Sequence, residues 1–441
     1  MDAAAGTGAG LMAWTINCAA VKPLKATGTP VGFGFMNPEG DPNGTFPEFT
    51  TATKAAVDYV NNTLGGLGAD LKAGKPGRPI KLDVCTMAIS PTESLKCANQ
   101  LASDKNFLNI STLDFFGNNI PVLKATGAPL FVVTPITVPD NTTPGIFAIG
   151  NGGGCVGVHP GLVQFTTKDL GAKHIAIPWA DTPPGVVCYY DLEKKPVDIL
   201  AGTVDGPAGI KGSIPGLTEL GVAIKPAQPD ITPQASQVLA YKPDAIIFSG
   251  QNSDCWSLVN TLGKLGWTAA KIPLVLSGAC IDTTQAKAAG AAANGIYFVG
   301  SPPFTSPDLL DGVLKLESQT YLSVMDKADK ADESKGFAVQ GFQAIMQLFS
   351  FTNAAASTNG GIDSVTGAQL SAYMAATHAV HSFGGTPLGC ADAVAPYSAV
   401  CGNSVAAFQW TGSGYTVKEA NFTGVPIIAG TKIDTGPPGA S

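Results

Sequence analysis

The chain has 441 residues, enough for two or three domains and too many for one ordinary core. Charged residues make up only 13% and the net charge is −7, with Arg78 the sole arginine; no basic patch exists of the kind that nucleic acids or nucleotides need. No apolar run reaches the eighteen or so residues of a membrane span, and four histidines without any C-x-x-C pair leave zinc little to bind.

Residues 1–28 are rich in Ala and Gly and lack a basic start, so they read as an N-terminal extension and not as an intact signal peptide. Cys18 is a candidate lipid-anchor cysteine, although Asn17 is not the small residue expected before one; a structural or free thiol is the other reading. Val31–Phe35 reads as a buried strand, and the helix from Pro47 to Asn61 places Phe49, Thr53, Ala56 and Val60 on one face. Ile80–Val84 alternates as a strand. Ser90-Pro-Thr-Glu93 then reads as a capping box, in which Ser90 accepts from the Glu93 amide and Glu93 reaches back. Further strands are expected at 107–110, 129–134 and 146–149, and a second series at 173–178, 221–225, 244–249, 273–277 and 295–300. Helices fill the gaps. Gly150–Cys155 and Ser301–Pro303 read as crossovers between the two series. Long helices are expected near 306–327, 334–354 and 366–379, and the tail returns to strand at 405–410 and 415–417. Repeated strand–helix units imply an α/β fold with parallel sheets covered on both faces, and such sheets bind ligands beyond the carboxyl ends of their strands.

This reading also places the cysteines. Cys85 ends one strand and Cys97 lies in the next helix; Cys155 and Cys188 follow successive strands; Cys255 opens a helix and Cys280 ends the next strand. Neighbouring parallel strands lie about 5 Å apart, within disulfide reach. The expected pairs are 85–97, 155–188, 255–280 and 390–401, with Cys18 left over, and bridges imply an exported protein. Sequence alone leaves the connectivity open.

Gly152-Gly-Gly-Cys-Val-Gly157 matches the dinucleotide fingerprint after a strand, with Asp181 ending the following one. Pro160 suggests itself as the first helical residue, which would put the glycines ahead of the helix instead of at its opening, as a hinge. His378 and His381, spaced i, i+3 on one helix face, could share a metal, but such residues more often favour the negative end of a helix, and no metal or other cofactor is expected. His159 and His174 read as structural. Neither a nucleophile elbow nor a phosphate-binding loop occurs, and no catalytic residues are expected.

Val31–Phe35, Ala55-Ala-Val-Asp-Tyr59, Ile80–Val84, Ser90-Pro-Thr-Glu93, Gly127-Ala-Pro-Leu130 and Lys242-Pro-Asp-Ala245 together resemble the branched-chain-amino-acid-binding (Leu/Ile/Val-binding) family, the type I periplasmic solute-binding proteins of ATP-binding-cassette importers. The resemblance runs from about Pro30 to Trp410 and rests on order and spacing. It implies two doubly wound parallel-sheet lobes joined by three crossings, with 29–150 plus 302–390 in the first and 151–301 plus 391–441 in the second. It also implies hinge closure on a small organic ligand, a membrane permease as partner, no nucleic acid, a monomer, and an extracytoplasmic, periplasmic or cell-surface location.

Ligand positions carried over from the family fall on the loop Asp114–Asn119, where Phe116, Gly117 and Asn118 are candidates, and on Ile136 and Thr137, where backbone and hydroxyl could hold an anion. The usually aromatic position of the second lobe falls on Pro184, with Tyr189 or Tyr190 as substitutes. Gln251 and Asn252 are candidates because amides at a strand's carboxyl end are costly to bury unsatisfied. The family's acidic residue falls near Ala279, where it is missing, and Asp181 or Asp282 could replace it. Phe337 and Phe46 complete the set, and Phe115, Phe116 and Phe337 could equally be core. The ligand classes open at this point are a hydrophobic amino acid, an organic acid and an amide. Two other functions fit the same residues: an exported nicotinamide-dependent enzyme using the 152–157 glycines, and a sensory ectodomain of the same fold.

Overall fold

A computed structural model describes residues 22–433 apart from Asn43, Asn151, Gly153, Ala227, Gln251 and Lys432. Cys18 and most of the N-terminal extension lie outside the described residues. The first sheet comprises β1 (Val31–Pro38), β2 (Ile80–Met87), β3 (Leu108–Ser111), β4 (Leu130–Val132) and β5 (Phe147–Ala148), all parallel, in the order β2-β1-β3-β4-β5. The second comprises β6 (His174–Ala180), β7 (Thr218–Ile224), β8 (Ala245–Phe248), β9 (Leu274–Ser277) and β10 (Tyr297–Gly300). Their order, β7-β6-β8-β9-β10, repeats that of the first sheet. The antiparallel pair β11 (Val405–Trp410) and β12 (Tyr415–Phe422) then extends the β10 edge. Each sheet therefore reverses its strand order beside its first strand, and that switch point is where doubly wound sheets open a crevice.

The core follows the pleat. One face of the second sheet buries Ala176, Ile246, Leu276 and Phe298, and the other buries Ile175, Ile177, Ile247 and Val299, as strands covered on both sides require. In the first lobe, helix Pro47–Asn62 starts with proline at its first turn and buries Phe49, Ala52, Ala56 and Val60. It packs closely on helix Ala338–Thr358, where a Cβ on Gly341 would fall 2.6 Å from the Phe49 carbonyl oxygen. Ser90 Oγ accepts from the Glu93 amide at 3.2 Å, but Glu93 does not reach back; its carboxylate pairs with Lys96, one turn on, at 3.1 Å.

Two expectations are corrected here. Pro160 lies inside helix Gly154–Gln164, so two glycines of the fingerprint are helical. They are small for packing reasons: a Cβ on Gly154 would fall 2.4 Å from the Pro135 carbonyl oxygen, and one on Gly157 would fall 1.7 Å from that of Gly152. The third long helix stops at Ala375, so His378 and His381 share no helix face. His378 bonds Asp392 and His381 bonds the buried Glu317, each at 2.7 Å, and the two rings answer to different partners.

Four disulfides join Cys85–Cys97, Cys155–Cys188, Cys255–Cys280 and Cys390–Cys401, the same four pairs read from the sequence. The last closes a loop that stays beside the first sheet, since Val400 bridges Ala148 of β5, and the chain reaches the second sheet only at Val405. No described helix is long and apolar enough to cross a membrane.

Candidate functional site

A cleft of about 250 Å³ opens beyond the carboxyl ends of both sheets, at their switch points. The loops that follow the strands supply its walls. From the first sheet come Phe46 after β1, Leu113 and Phe115 after β3, and Thr134 and Ile136 after β4. Phe337 and Gln340, at the start of helix Ala338–Thr358, close that side. From the second sheet come Ala180 and Thr182 after β6, Ser249 and Asp254 after β8, and Ser277, Ala279 and Ile281 after β9. The crossings add Gly154 and Cys155 at one point and Ser301–Thr305 at another.

The first-sheet wall is aromatic. Phe337 stacks on Phe49 with ring centroids 5.3 Å apart and meets the edge of Phe46 at 5.4 Å, while Phe46 stacks on Phe115 at 6.5 Å. The polar groups behind that wall are turned inward onto each other. Asp114, buried between Leu113 and Phe115, accepts from the amides of Phe116 at 2.8 Å and Gly117 at 3.3 Å, and from the Ser94 hydroxyl. Asp140, fully buried, accepts from the amides of Ile136 at 3.2 Å and Thr137 at 2.9 Å. Burial pushes the Asp140 carboxyl up to about 7; its amide donors act the other way and the Asp114 charge adds to the rise. Thr134 donates its hydroxyl to Gln340 and ties the β4 loop to the long helix.

On the second-sheet wall the Cys155–Cys188 disulfide faces the cleft beside Pro184 and Gly185. Thr182 caps helix Pro183–Tyr189, accepting from the Gly185 amide at 3.1 Å. His159 reaches the wall from helix Gly154–Gln164, with Nδ1 2.8 Å from the buried Glu193 carboxylate. Burial raises the Glu193 carboxyl above its usual range, and the histidine works against that rise. Cys155, His159 and Cys188 bring their ligand atoms within 4.8 Å of one another, yet sulfurs bonded to each other have no thiolate to offer a metal.

Of the residues expected to meet ligand, Phe46, Ile136, Pro184, Ala279 and Phe337 stand on the wall. Phe116, Gly117 and Asn118 do not: the turn that closes on Asp114 puts Phe115 forward instead, and the Asn118 amide donates to the Pro91 carbonyl oxygen. Thr137 is buried in the capping box it forms with Asp140, so the anion site expected there is already filled by the protein's own carboxylate. Asp181 points into solvent while its neighbours Ala180 and Thr182 line the cleft. Asn252 opens helix Asn252–Lys264 behind the wall, and Gln251 lies outside the described residues. Tyr189 does not substitute for an aromatic at Pro184; it is buried, stacked on Trp179 at 5.1 Å, with its hydroxyl on Glu219. Asp282 caps the following helix through the Thr284 and Gln285 amides. Sequence reasoning left out Asp254, which lines the cleft and follows the two flagged amides by two to three positions, a detectable signal. His159, read as structural, is buried against Glu193 at the edge of the wall.

Two sheets of matching order around one shared cleft define the type I periplasmic binding protein fold. Residues 200–396 match the family model described as periplasmic binding protein. No curated protein matches the chain by sequence. Among solved structures, the chain is similar to the leucine-binding protein LivK of Thermotoga maritima (13% identity, TM-score 0.61, covering 89% of this chain and 99% of that one). It is also similar to the branched-chain amino acid transporter substrate-binding protein LivJ of Streptococcus pneumoniae, solved with isoleucine (12%, 0.60, 89% and 100%). An extracellular ligand-binding receptor of Verminephrobacter eiseniae gives 17% identity and a TM-score of 0.63, over 88% and 99% of the two chains.

Proposed function

We propose that this protein is an extracytoplasmic solute-binding component of an ATP-binding-cassette importer, which captures a small organic ligand by hinge closure and presents the closed form to a membrane permease. The observation that carries the reading is the cleft shared by the carboxyl ends of two sheets of matching strand order. A ligand there touches both lobes only when they close, so its extra contacts shift the open–closed equilibrium. The lobes divide at three crossings, near 150–154, 301–303 and 402–404. The protein acts as a monomer without catalysis, and the close packing of Gly154 and Gly157 accounts for the glycine run without a nucleotide. Four disulfides suit an oxidising compartment.

The test is native mass spectrometry of the purified protein for a retained solute, followed by small-angle scattering with and without that solute. A bound molecule of small-solute mass and a smaller radius of gyration on binding are expected. A protein that keeps the same dimensions across a broad panel of amino acids, acids, amides and amines would overturn the reading.

A further inference from the structure

The first-lobe loops decide what kind of ligand fits. Backbone amides at the carboxyl ends of parallel strands are natural donors to an anion. Here four of them, on Phe116, Gly117, Ile136 and Thr137, already donate to the side chains of Asp114 and Asp140. A ligand carboxylate brought to this wall would find those donors already occupied by the protein's own carboxyl groups. What the wall offers instead is apolar and ring-shaped: Phe46, Phe115 and Phe337, with Leu113 and Ile136 beside them.

The opposite wall differs in charge. Asp254 is the one carboxylate among the described residues that line the cleft, and no described lysine or arginine lines it. It stands in the first turn of helix Asn252–Lys264. Ser249 and Ser277 line the same cleft. His159 is the other titratable group among the described residues of the wall, with Nδ1 2.8 Å from the Glu193 carboxylate behind it.

We propose that the cleft takes a carboxylate-free ligand whose apolar, ring-sized end lies against Phe46, Phe115 and Phe337 of the first lobe and whose primary amine meets Asp254 of the second. The proposal rests on the solute-capture reading and narrows it. An ammonium at the second wall gains a charge-assisted hydrogen bond to that carboxylate while the ring stays on the apolar side.

Calorimetric titration of the full chain with matched probes tests this. 2-Phenylethylamine, phenylacetate, phenylacetamide and L-phenylalanine share one ring and differ only in the head. The amine is expected to bind roughly tenfold or more tighter than the acid or the amino acid, and Asp254→Asn to remove that preference. Equal or tighter binding of phenylacetate or L-phenylalanine overturns the ligand assignment and leaves solute capture standing. If no member of a broad panel of amines, acids, amides and amino acids binds or compacts the protein, capture itself falls and the assignment with it. The comparison among probes on the unaltered protein decides the matter even if Asp254→Asn fails to fold.

Discussion

Asp140 carries a clear pH signature. Its carboxyl sits at about 7 in the folded protein, chiefly through burial, against about 3.9 for an unperturbed aspartate. Between those values the folded state holds a proton that the unfolded chain has released, so stability from this group is fully present below about pH 4 and is lost as pH rises through 7. Asp140→Asn keeps an oxygen for the Ile136 and Thr137 amides and removes the titration. Melting temperatures at intervals from pH 4.5 to 7.5 are expected to fall more steeply in the native protein than in the variant; parallel curves would sink the assignment. This carboxylate was not legible as a donor cap in the sequence. Asp114 sat inside a loop flagged for ligand contact, and Asp140 followed another, but whether such a side chain points to the cleft or back into its own turn depends on backbone geometry that composition does not carry. The aromatic residues were easier. Phe46 and Phe337 follow a strand and open a helix, and either position leads to the cleft in a doubly wound sheet.

At the scale of elements, alternation and helical spacing placed all ten parallel strands within a few residues. Short apolar runs bounded by Gly and Pro have few other ways to be buried. The miss was helix Gly154–Gln164, because proline is disfavoured inside a helix and the rule that starts a helix at proline misled. The helix persists because tertiary packing overrides that preference: its glycines let it lie directly on the first crossing. Two substitutions separate this cause from simple flexibility. In Gly157→Ala the new methyl meets the Gly152 carbonyl oxygen, which cannot move without breaking the turn. In Gly161→Ala it meets the end of the Val405 side chain at 2.8 Å, which can rotate away. Urea unfolding is expected to show a loss of roughly 3 kcal/mol for Gly157→Ala and under half that for Gly161→Ala. Equal losses would mean the glycines are there for backbone freedom and not for close approach.

At the scale of the whole molecule, covalent bonds and the proposed hinge answer to different demands. Cys85–Cys97 and Cys390–Cys401 lie beside the first sheet, Cys255–Cys280 lies beside the second, and Cys155–Cys188 joins the helix at the first crossing to the helix after β6. None of the four joins a strand of one sheet to a strand of the other, and each restricts the unfolded chain. The loops they close span 11 to 33 residues, for which chain entropy gives about 3 to 4 kcal/mol each. Their functional weight should nevertheless be unequal. Cys85 of β2 and Cys97 of helix Pro91–Ser103 are not among the cleft residues, whereas Cys155 and Cys188 form part of its wall. Replacing either pair by alanines is expected to lower the melting temperature by roughly 5–10 °C, as a loss of that size does for a lobe of this length. Only the Cys155→Ala, Cys188→Ala protein should also lose affinity for the captured solute. The Cys85→Ala, Cys97→Ala protein should bind and compact as the native protein does, and weakened binding there would mean that closure depends on the rigidity of the whole first lobe and not on the wall alone.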